Sequence, residues 1–493
     1  MLPQLLARRC IDGEEFRSVD QIFRIMKFYL LVLSLIFVNA AAAAQERIPT
    51  IRSNVSVISI QDGDELRKNI WTLVPEAKPD VYEAQLRDGK PQRVTFVTDV
   101  ESISFMVHEG KKYDFIIQLG EQLCYTQIVG IRSVPAALFD KNYQDAHRGK
   151  TFIEIPEVYE LVNVAIAMTP TGIEDKNLVF KASDYYKRMR EWFDPHAGHP
   201  LLVAFDNELK RNPGRYFTLK MNGYAFEFDG KGKIVQSAVY NRTGFRGDIT
   251  NTLKPYVAQL QSFCDQTKFR EFYKQNRKTY DSQIAFYRDT ANIAEMKRWL
   301  DKNFPASSNY DTYKIIFSPL VAYNQSTTWF ASNGFRELQP HVNFPYQEDM
   351  GRYGPMSETG QTVFRGNIVF TEINHGYINP EADKYAERIL KAISNRERWV
   401  EKSRGPGYYG GMGAFNEYMN WGLVSLRIVD YAPKEEQDRM IANVDAMMVQ
   451  RRGFVQFDAF DRYLVSLYRN RPAGKTVADL YPQIIAWFEK NNR

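Results

Sequence analysis

The spacing of apolar residues changes near residue 150, and this change constrains the fold more than any other feature of the sequence. Before it, apolar and polar residues alternate in the stretches 55–60, 94–97, 103–107 and 113–117. Alternation with a period of two is typical of β-strands that bury one face. Turn-forming stretches such as Gln61-Asp62-Gly63 separate these segments, so the sequence predicts a β-sandwich over residues 46–150.

The sequence after residue 150 has a mainly helical pattern. Apolar residues recur three and four positions apart after Pro156, and Ser183 is a typical cap for the start of the next helix. Two stretches, 313–320 and 338–344, interrupt this pattern with strand-like composition. Pro340 lacks an amide N–H, so the second strand is expected at a sheet edge. The predicted fold class is α+β, with a mainly helical domain over residues 151–493 that contains a small sheet.

The N-terminal residues have the features of an export signal. From Met26 the sequence runs through Lys27 into the apolar segment 28–38 and then into a row of alanines that ends at Ala44. A positive charge, an apolar core and an Ala-x-Ala site are typical of a secretory signal peptide. We interpret residues 1–25 as an upstream mis-start and residues 26–44 as a signal peptide, which predicts a periplasmic or secreted protein. The alternative is a membrane anchor, but the segment is shorter than the ~20 residues that span a bilayer.

The charges of the chain are balanced and dispersed. The sequence has 64 Lys and Arg against 59 Asp and Glu, a formal net charge of +5, without a basic block. No nucleic-acid partner is therefore expected. No membrane association is expected beyond the signal peptide, because no later segment approaches a spanning length. The expected partner is a peptide or protein substrate, and the sequence leaves the oligomeric state open.

Cysteine and histidine spacing gives no metal site in the first two thirds of the chain. Cys124 and Cys264 fall in different predicted domains and outside any C-x-x-C motif, so buried free thiols are favoured over a disulfide. His196 and His199 lie three residues apart in a segment rich in Pro and Gly. That composition favours a turn with hydrogen-bonding histidines over a pair of metal ligands.

An apolar helical segment at residues 368–380 carries two ionisable residues, Glu372 and His375. At 3.6 residues per turn, these side chains lie on one face of the helix. The Asn379-Pro380 pair is expected to end the helix. A buried acid and a buried imidazole each need a polar partner, so the two residues are either a satisfied couple in the core or part of a functional site.

A second helical segment, which contains Asn416 and Glu417, favours the functional interpretation. Glu417 lies about 40 residues further along, where its carboxylate could face His375. The two segments together resemble the gluzincin metallopeptidases, which hold zinc between an H-E-x-x-H helix and a glutamate of a later helix, often preceded by Asn. The resemblance implies that His375 and Glu417 are zinc ligands and that Glu372 is the general base for a zinc-bound water.

The sequence departs from the gluzincin pattern at two positions. Thr371 stands where the family has its first zinc histidine, and a threonine hydroxyl is a poor zinc ligand at neutral pH. Trp421 stands where several gluzincins have an acid that orients a zinc histidine. Asn416 and Asn420 are then the nearest polar groups that could support the ligands. The resemblance therefore implies two zinc ligands and leaves the third to be found.

Three more residues are candidates for the same site. In gluzincins a sheet edge precedes the metal helix and binds the peptide substrate. His341, in the predicted edge strand, is therefore a candidate replacement ligand or transition-state donor, against the alternative of a polar residue at a strand end. Tyr408 and Tyr409, in the glycine-dense run 403–413, could donate to a developing oxyanion, against the alternative of aromatic packing.

Together with the segment 155–160, these patterns resemble a bacterial family of unknown function, domain of unknown function 4932, that is grouped with the gluzincins. The resemblance implies a gluzincin-like metallopeptidase domain over residues 151–493, with the degenerate motif TEINH, and an accessory role for the sandwich. Two functions are expected from it. One is a periplasmic or secreted zinc hydrolase of the peptidase type, and the other is a catalytically inactive gluzincin-fold protein that binds a peptide or cell-envelope partner. A di-iron carboxylate site would need a second E-x-x-H, and the sequence contains one.

Overall fold

The computed structural model divides the chain into two compact units, with the boundary between Ser133 and Val134. It describes residues 48–63, 65–75, 79–87, 89–245, 248, 250–306, 310–347, 351–405, 408 and 411–492. The predicted mis-start and signal peptide lie outside these described residues. The α+β fold class is confirmed, because a unit of strands precedes a mainly helical unit with a small sheet of its own.

The first unit consists of two four-stranded sheets, in the orders β1-β7-β8-β4 and β3-β2-β5-β6. The strands are β1 Thr50–Ser53, β2 Val57–Asp62, β3 Glu65–Thr72, β4 Asp80–Arg87, β5 Gln92–Val97, β6 Ser102–Val107, β7 Lys112–Leu119 and β8 Gln122–Ser133. Alternate residues of both sheets enter one core, where the rings of Phe96 in β5 and Phe115 in β7 have centroids 4.8 Å apart. The period-two pattern of the sequence therefore corresponds to the inward and outward faces of a sandwich.

The second unit begins with helices and three short strands. Its first elements are α1 Lys141–His147, β9 Thr151–Glu154, α2 Glu157–Met168, α3 Pro170–Glu174, α4 Asp184–Phe193, α5 Pro200–Arg211, α6 Arg215–Asn222, β10 Phe226–Phe228 and β11 Ile234–Gln236. Ser183 caps α4 by accepting from the amide of Tyr186, as the sequence predicts. His199 caps α5 by accepting from the amide of Leu201 at 3.2 Å, so the histidine-rich segment is a turn.

Further helices surround the sheet of the second unit and form its C-terminal part. These elements are α7 Val257–Thr267, α8 Phe269–Gln275, α9 Arg277–Ala285, α10 Ile293–Asn303, β12 Thr312–Ser318, β13 Ser326–Ser332, β14 Phe335–Asn343, α11 Glu358–Arg365, α12 Asn367–Asp383, α13 Ala386–Ala392, α14 Met412–Tyr431, α15 Lys434–Ala446, α16 Phe457–Arg469 and α17 Val477–Asn491. Within the described residues, no helix is both long and apolar enough to cross a bilayer. Cys124 and Cys264 are buried free thiols.

The position of Pro340 corrects the sequence prediction. The sheet order is β13-β14-β12-β9, so β14, which contains Pro340, is a central strand and the predicted edge position is wrong. Across the described β12 and β14, the parallel ladder joins Tyr313 to Leu338 and Ile316 to His341 and is interrupted between these pairs. Pro340 lies in that interruption while it stays opposite Thr327 of β13. A missing amide donor is therefore tolerated where the neighbouring ladder is broken.

Two neighbouring acidic side chains on α15 and α16 differ in burial, since Asp461 is buried and Asp445 is half-buried. Asp461 of α16 is fully buried, and Ser425 of α14 donates to its Oδ2 at 2.5 Å. Burial raises the pKa of Asp445 on α15 to about 6. Burial and the neighbouring charge of Asp445 raise the pKa of Asp461 well above its ordinary value. Two neighbouring carboxyl groups repel each other when both are ionised, so they hold a proton more tightly in the folded protein than in the unfolded chain.

The Asp445–Asp461 pair makes stability depend on pH. Because both pKa values are raised in the folded protein, the pair contributes stability that is fully present below the ordinary aspartate pKa of about 4. This contribution is lost as the pH rises through about 6. We expect Asp461→Asn to reduce the difference in unfolding free energy between acid and neutral pH by about 1–2 kcal/mol, after allowance for the partial exposure of Asp445. Denaturant titrations at the two pH values measure this.

Asp438→Asn, a change of an exposed residue on the same helix α15, is the matched control and is expected to leave the pH dependence unchanged. An Asp461→Asn protein whose stability falls with pH as steeply as that of the unchanged protein would contradict the assignment.

Candidate functional site

Helix α12 carries Glu372 and His375 and continues to Asp383, so the predicted helix end at Asn379-Pro380 is wrong. Pro380 has no N–H for the carbonyl of Gly376, four residues earlier, and such a loss commonly ends a helix. Here the hydroxyl of Tyr310 donates to that carbonyl at 3.0 Å. A side chain from outside the helix replaces the missing backbone donor, and the helix continues.

Gly376 sets the distance between α12 and the sheet. A Cβ on this residue would lie 2.8 Å from Cδ1 of Leu338 in β14, closer than real side chains approach. A glycine therefore lets the helix backbone pack directly on the strand. His375, the preceding residue, is therefore on a helix that packs closely on this sheet.

His375 and Glu417 lie together, although they are on different helices. Nε2 of His375 is 3.4 Å from Oε1 of Glu417 on α14. Nδ2 of Asn420, one turn after Glu417, lies 2.9 Å from the same Nε2. On the other side of the ring, Nδ1 of His375 donates to Oδ1 of Asn379 at 3.3 Å. The imidazole is therefore oriented by its own helix and by α14.

A direct contact ties the two helices together at this level. Nδ2 of Asn374 on α12 donates to the backbone carbonyl of Asn420 on α14 at 3.1 Å. Asn374 and Asn420 are both buried, so the hydrogen bond is shielded from water. The meeting of His375 with Glu417 thus has structural support one residue away on α12.

Arg452 completes a cluster of three ionisable side chains, and sequence reasoning missed it. Its Nη2 lies 2.9 Å from Oε2 of Glu417. The π-helical turn Met447–Arg451 precedes it, and the amide of Arg452 donates to the carbonyl of Met447 at 3.1 Å. Such turns change the direction of a helix and are frequent at functional sites. A local irregularity of the backbone therefore brings this arginine to Glu417.

Three aromatic rings surround the guanidinium of Arg452. Its Cζ lies 5.2 Å from the ring centroid of Tyr408, 5.4 Å from that of Phe454 and 5.6 Å from that of Trp421. A guanidinium over aromatic faces is held in place and favoured as a cation. Trp421, the residue that replaces the expected acid of the gluzincin pattern, thus contacts the arginine.

The charge state of this cluster follows from its contacts. Burial alone would raise the pKa of Glu417, but the charge of Arg452 and the hydrogen bond with His375 outweigh it and lower this pKa to about 2. Burial alone would lower the pKa of His375, but its hydrogen bond with Glu417 and the charge of Glu417 raise it above the ordinary value. The charge of Glu417 and burial raise the pKa of Tyr408. Glu417 is therefore ionised and Tyr408 is neutral at neutral pH.

Glu372 is a buried acid whose pKa lies close to neutral pH. Burial, with a contribution from the charge of Glu417, raises its pKa to about 7. Lys220 of α6 is fully buried, and burial lowers its pKa to about 7 although the charge of Glu372 acts in the opposite direction. The ammonium of Lys220 donates to the carbonyl of Asn324 at 2.6 Å. Glu372 is thus poised to take up or release a proton near neutral pH.

The remaining predicted site residues have other contacts or no hydrogen-bond partner among the described residues. The hydroxyl of Thr371 donates to the carbonyl of Ile368 in its own helix at 2.7 Å. His341 is fully buried beside Tyr159, with 5.5 Å between the ring centroids, and neither of its ring nitrogens has a hydrogen-bond partner among the described residues. The same holds for Oδ1 of Asn416. Tyr409 lies outside the described residues.

The described residues do not fit a zinc ion. A catalytic zinc site needs three protein ligands with free lone pairs. Only His375 and Glu417 of the predicted ligands meet, the hydroxyl of Thr371 is engaged with its own helix, and Arg452 already pairs with Glu417. No group of three or more His, Cys, Asp or Glu in the described part of the chain is arranged to hold a metal ion. The site is a cluster of paired charges instead.

Little in the sequence indicates the two basic residues of the site. Arg452 follows Arg451 and precedes Gly453, a combination that reads as an exposed turn, and Lys220 lies in an ordinary helical stretch. The one usable signal was the tryptophan in place of an acid at position 421, because an aromatic ring at a charged site is a typical partner for arginine.

Fold and site together define an α+β protein with a β-sandwich unit and a helical unit that contains a buried His–Glu–Arg cluster. The chain belongs to the family described as Domain of unknown function (DUF4932), whose model matches residues 171–487. This match confirms the prediction of domain of unknown function 4932 and covers all three residues of the cluster, while the relationship to the gluzincins stays a prediction. No curated protein and no solved structure matches the chain.

The ion pair between Glu417 and Arg452 is expected to stabilise the fold. Arg452→Met leaves the Glu417 carboxylate, which is 6% exposed, without its cation, so we expect a loss of about 1–3 kcal/mol in the free energy of unfolding. Adding Glu417→Gln removes the uncompensated charge and should recover part of this loss. Denaturant titrations of the single and double variants measure both effects.

Arg388→Met is the matched control. Arg388 pairs with Glu489 at 2.7 Å, but both side chains are about 40% exposed, so the expected change is below about 1 kcal/mol. Equal losses for Arg452→Met and Arg388→Met would show that Glu417 does not depend on its arginine.

Proposed function

We propose that this protein is a gluzincin-like binding protein in which the ion cluster of His375, Glu417 and Arg452 stands where the related peptidases hold zinc. It binds a peptide or protein segment without metal-dependent hydrolysis. The observation that supports this proposal is the 2.9 Å pair between Arg452 and Glu417, because it places a permanent cation at the carboxylate that would otherwise bind the metal.

Electrostatics and ligand number act together against a metal. Two unit positive charges about 4 Å apart repel by roughly 4 kcal/mol at an effective dielectric constant of 20, and a divalent ion doubles this. A full structural zinc site supplies about 10–16 kcal/mol. Repulsion by Arg452 alone would therefore not abolish zinc binding. Because Thr371 also stands where a ligand would be needed, the free energy of zinc binding is smaller, and the ion pair with Arg452 is favoured over a bound zinc ion.

The sheet offers a place for an extended peptide. β13 is the terminal strand of its sheet, and the helix α12 that carries His375 packs against both β13 and β14. Terminal strands bind extended peptides by adding a further strand, with backbone hydrogen bonds for affinity and side-chain pockets for specificity. In this proposal the peptide pairs with β13 and reaches the ion cluster with one of its polar groups.

Export to the periplasm or the medium is part of the same proposal. It rests on the predicted signal peptide at residues 26–44, and it makes a cell-envelope component or an extracellular protein the natural source of the bound segment.

A zinc-dependent hydrolase is the second candidate function, and one observation favours it. The pKa of Glu372, raised to about 7 by burial, suits a general base at neutral pH. The proposal without metal predicts that this residue is not used in turnover, so the two candidates differ in what Glu372 does.

Zinc content distinguishes the two candidates. We expect the protein purified without chelator to contain zinc well below one ion per chain. Thr371→His restores the H-E-x-x-H pattern and Arg452→Gln frees Glu417, so the double variant is expected to bind about one zinc per chain. Elemental analysis after dialysis against zinc measures this, with Thr371→Ala combined with Arg452→Gln as the control that lacks the added ligand. Stoichiometric zinc in the unchanged protein would refute the proposal.

Peptide cleavage gives a separate test. We expect the unchanged protein and Glu372→Gln to leave unstructured peptides intact to the same extent, because no base-assisted attack takes place. Mass spectrometry of the peptides after long incubation is the measurement. Cleavage by the unchanged protein that Glu372→Gln reduces by about 100-fold or more, the usual contribution of a general base, would establish the hydrolase instead.

A further inference from the structure

We propose that the bound peptide presents a carboxylate group to Arg452. This inference rests on the proposed function and adds the chemical class of the ligand. A peptide carries carboxylates at its C-terminus and on Asp and Glu side chains, and all of these offer the same two oxygens to a guanidinium.

The side chains of the cluster differ in their exposure to solvent. The side chain of Arg452 is 25% exposed and that of His375 is 15% exposed, whereas that of Glu417 is 6% exposed. Glu372 is buried as well, at 9%. A ligand that approaches the cluster therefore meets the guanidinium and the imidazole first, with the carboxylates beneath them. The accessible side of the site favours an anion.

The charges that face the cluster from each element agree with this polarity. Glu372 and His375 come from α12, Glu417 comes from α14, and Lys220 comes from α6. Glu417 is the anion that Arg452 neutralises, and Tyr408 is neutral. An added carboxylate thus finds one paired anion and an arginine whose side chain is 25% exposed. A guanidinium has five donors, and the contacts of Nη2 with Glu417 and of Nη1 with Sδ of Met448, at 3.5 Å, leave others for a ligand.

The aromatic surroundings of Arg452 reduce the cost of binding. Rings of Tyr408, Trp421 and Phe454 lie 5.2–5.6 Å from its Cζ and hold the guanidinium in place before a ligand arrives. A preorganised arginine loses little side-chain freedom on binding. Its planar fork also matches a carboxylate better than an ammonium does. The site therefore recognises a planar anion with more specificity than a mobile surface lysine would.

The test compares three sets of peptides with randomised sequences, each labelled with a BODIPY dye that carries no carboxylate once it is conjugated. The first set has a free C-terminal carboxylate, the second has an amidated C-terminus and contains no acidic residue, and the third is amidated but has a fixed Glu. Fluorescence anisotropy measures the dissociation constant of each set. We expect at least one of the carboxylate-bearing sets to bind about tenfold or more tightly than the second set.

Variants then assign the preference to Arg452. Arg452→Gln is expected to abolish the difference between the sets, while Arg452→Lys keeps the charge and is expected to retain a reduced difference. Arg388→Gln, a change of an exposed arginine on α13, is the control and should leave the preference intact. Arg452→Lys keeps the test decisive in case Arg452→Gln does not fold, which circular dichroism checks.

The outcomes separate this inference from the function on which it rests. Tighter binding of the first set supports recognition of a peptide C-terminus, and tighter binding of the third set supports recognition of an acidic side chain. Equal binding of all three sets overturns the carboxylate inference but leaves the peptide-binding function standing. Absence of binding by every set overturns both. A carboxylate preference that survives Arg452→Gln overturns the assignment to Arg452.

Discussion

A buried carboxylate has to be neutralised, and Arg452 neutralises Glu417 at a distance of 2.9 Å. This pairing lowers the pKa of Glu417 to about 2 and so keeps a negative charge beneath His375. The same charge raises the pKa of His375 and that of Tyr408. One ion pair thus sets the protonation of its neighbours, and any ligand of the site has to be accommodated by this fixed arrangement of charges.

Two local irregularities of the helices position these charges, namely a proline inside α12 and a π-helical turn before Arg452. Pro380 lies inside α12 because Tyr310 supplies a donor to the carbonyl of Gly376, and Gly376 lets the helix approach Leu338 closely. The π-helical turn before Arg452 gives the second exception, since it redirects the chain toward Glu417. Both exceptions depend on contacts between residues far apart in the sequence.

Sequence reasoning recovered the parts of the structure that depend on local pattern. Alternation predicted the sandwich strands, and the spacing of Glu372 and His375 predicted a helix that carries both. It failed where a distant partner decides the outcome. Pro340 was expected at a sheet edge and Pro380 at a helix end, but an interrupted ladder and the hydroxyl of Tyr310 accommodate them. Arg452 was missed because nothing near it in sequence indicates that its partner is Glu417.

The sequence also leaves open what the helix pair of α12 and α14 does, because the same scaffold can present either sign of charge. With a histidine at position 371 and no cation nearby, the carboxylates Glu372 and Glu417 would face an added positive ion. With Thr371 turned into its own helix and Arg452 packed among three rings, the positive charge already belongs to the protein. A carboxylate attracts a cation most strongly while it is unpaired, and Glu417 is already paired with Arg452. Thr371 and Trp421 therefore act in one direction, since the hydroxyl of Thr371 is engaged within its own helix and Trp421 supplies a ring for the arginine.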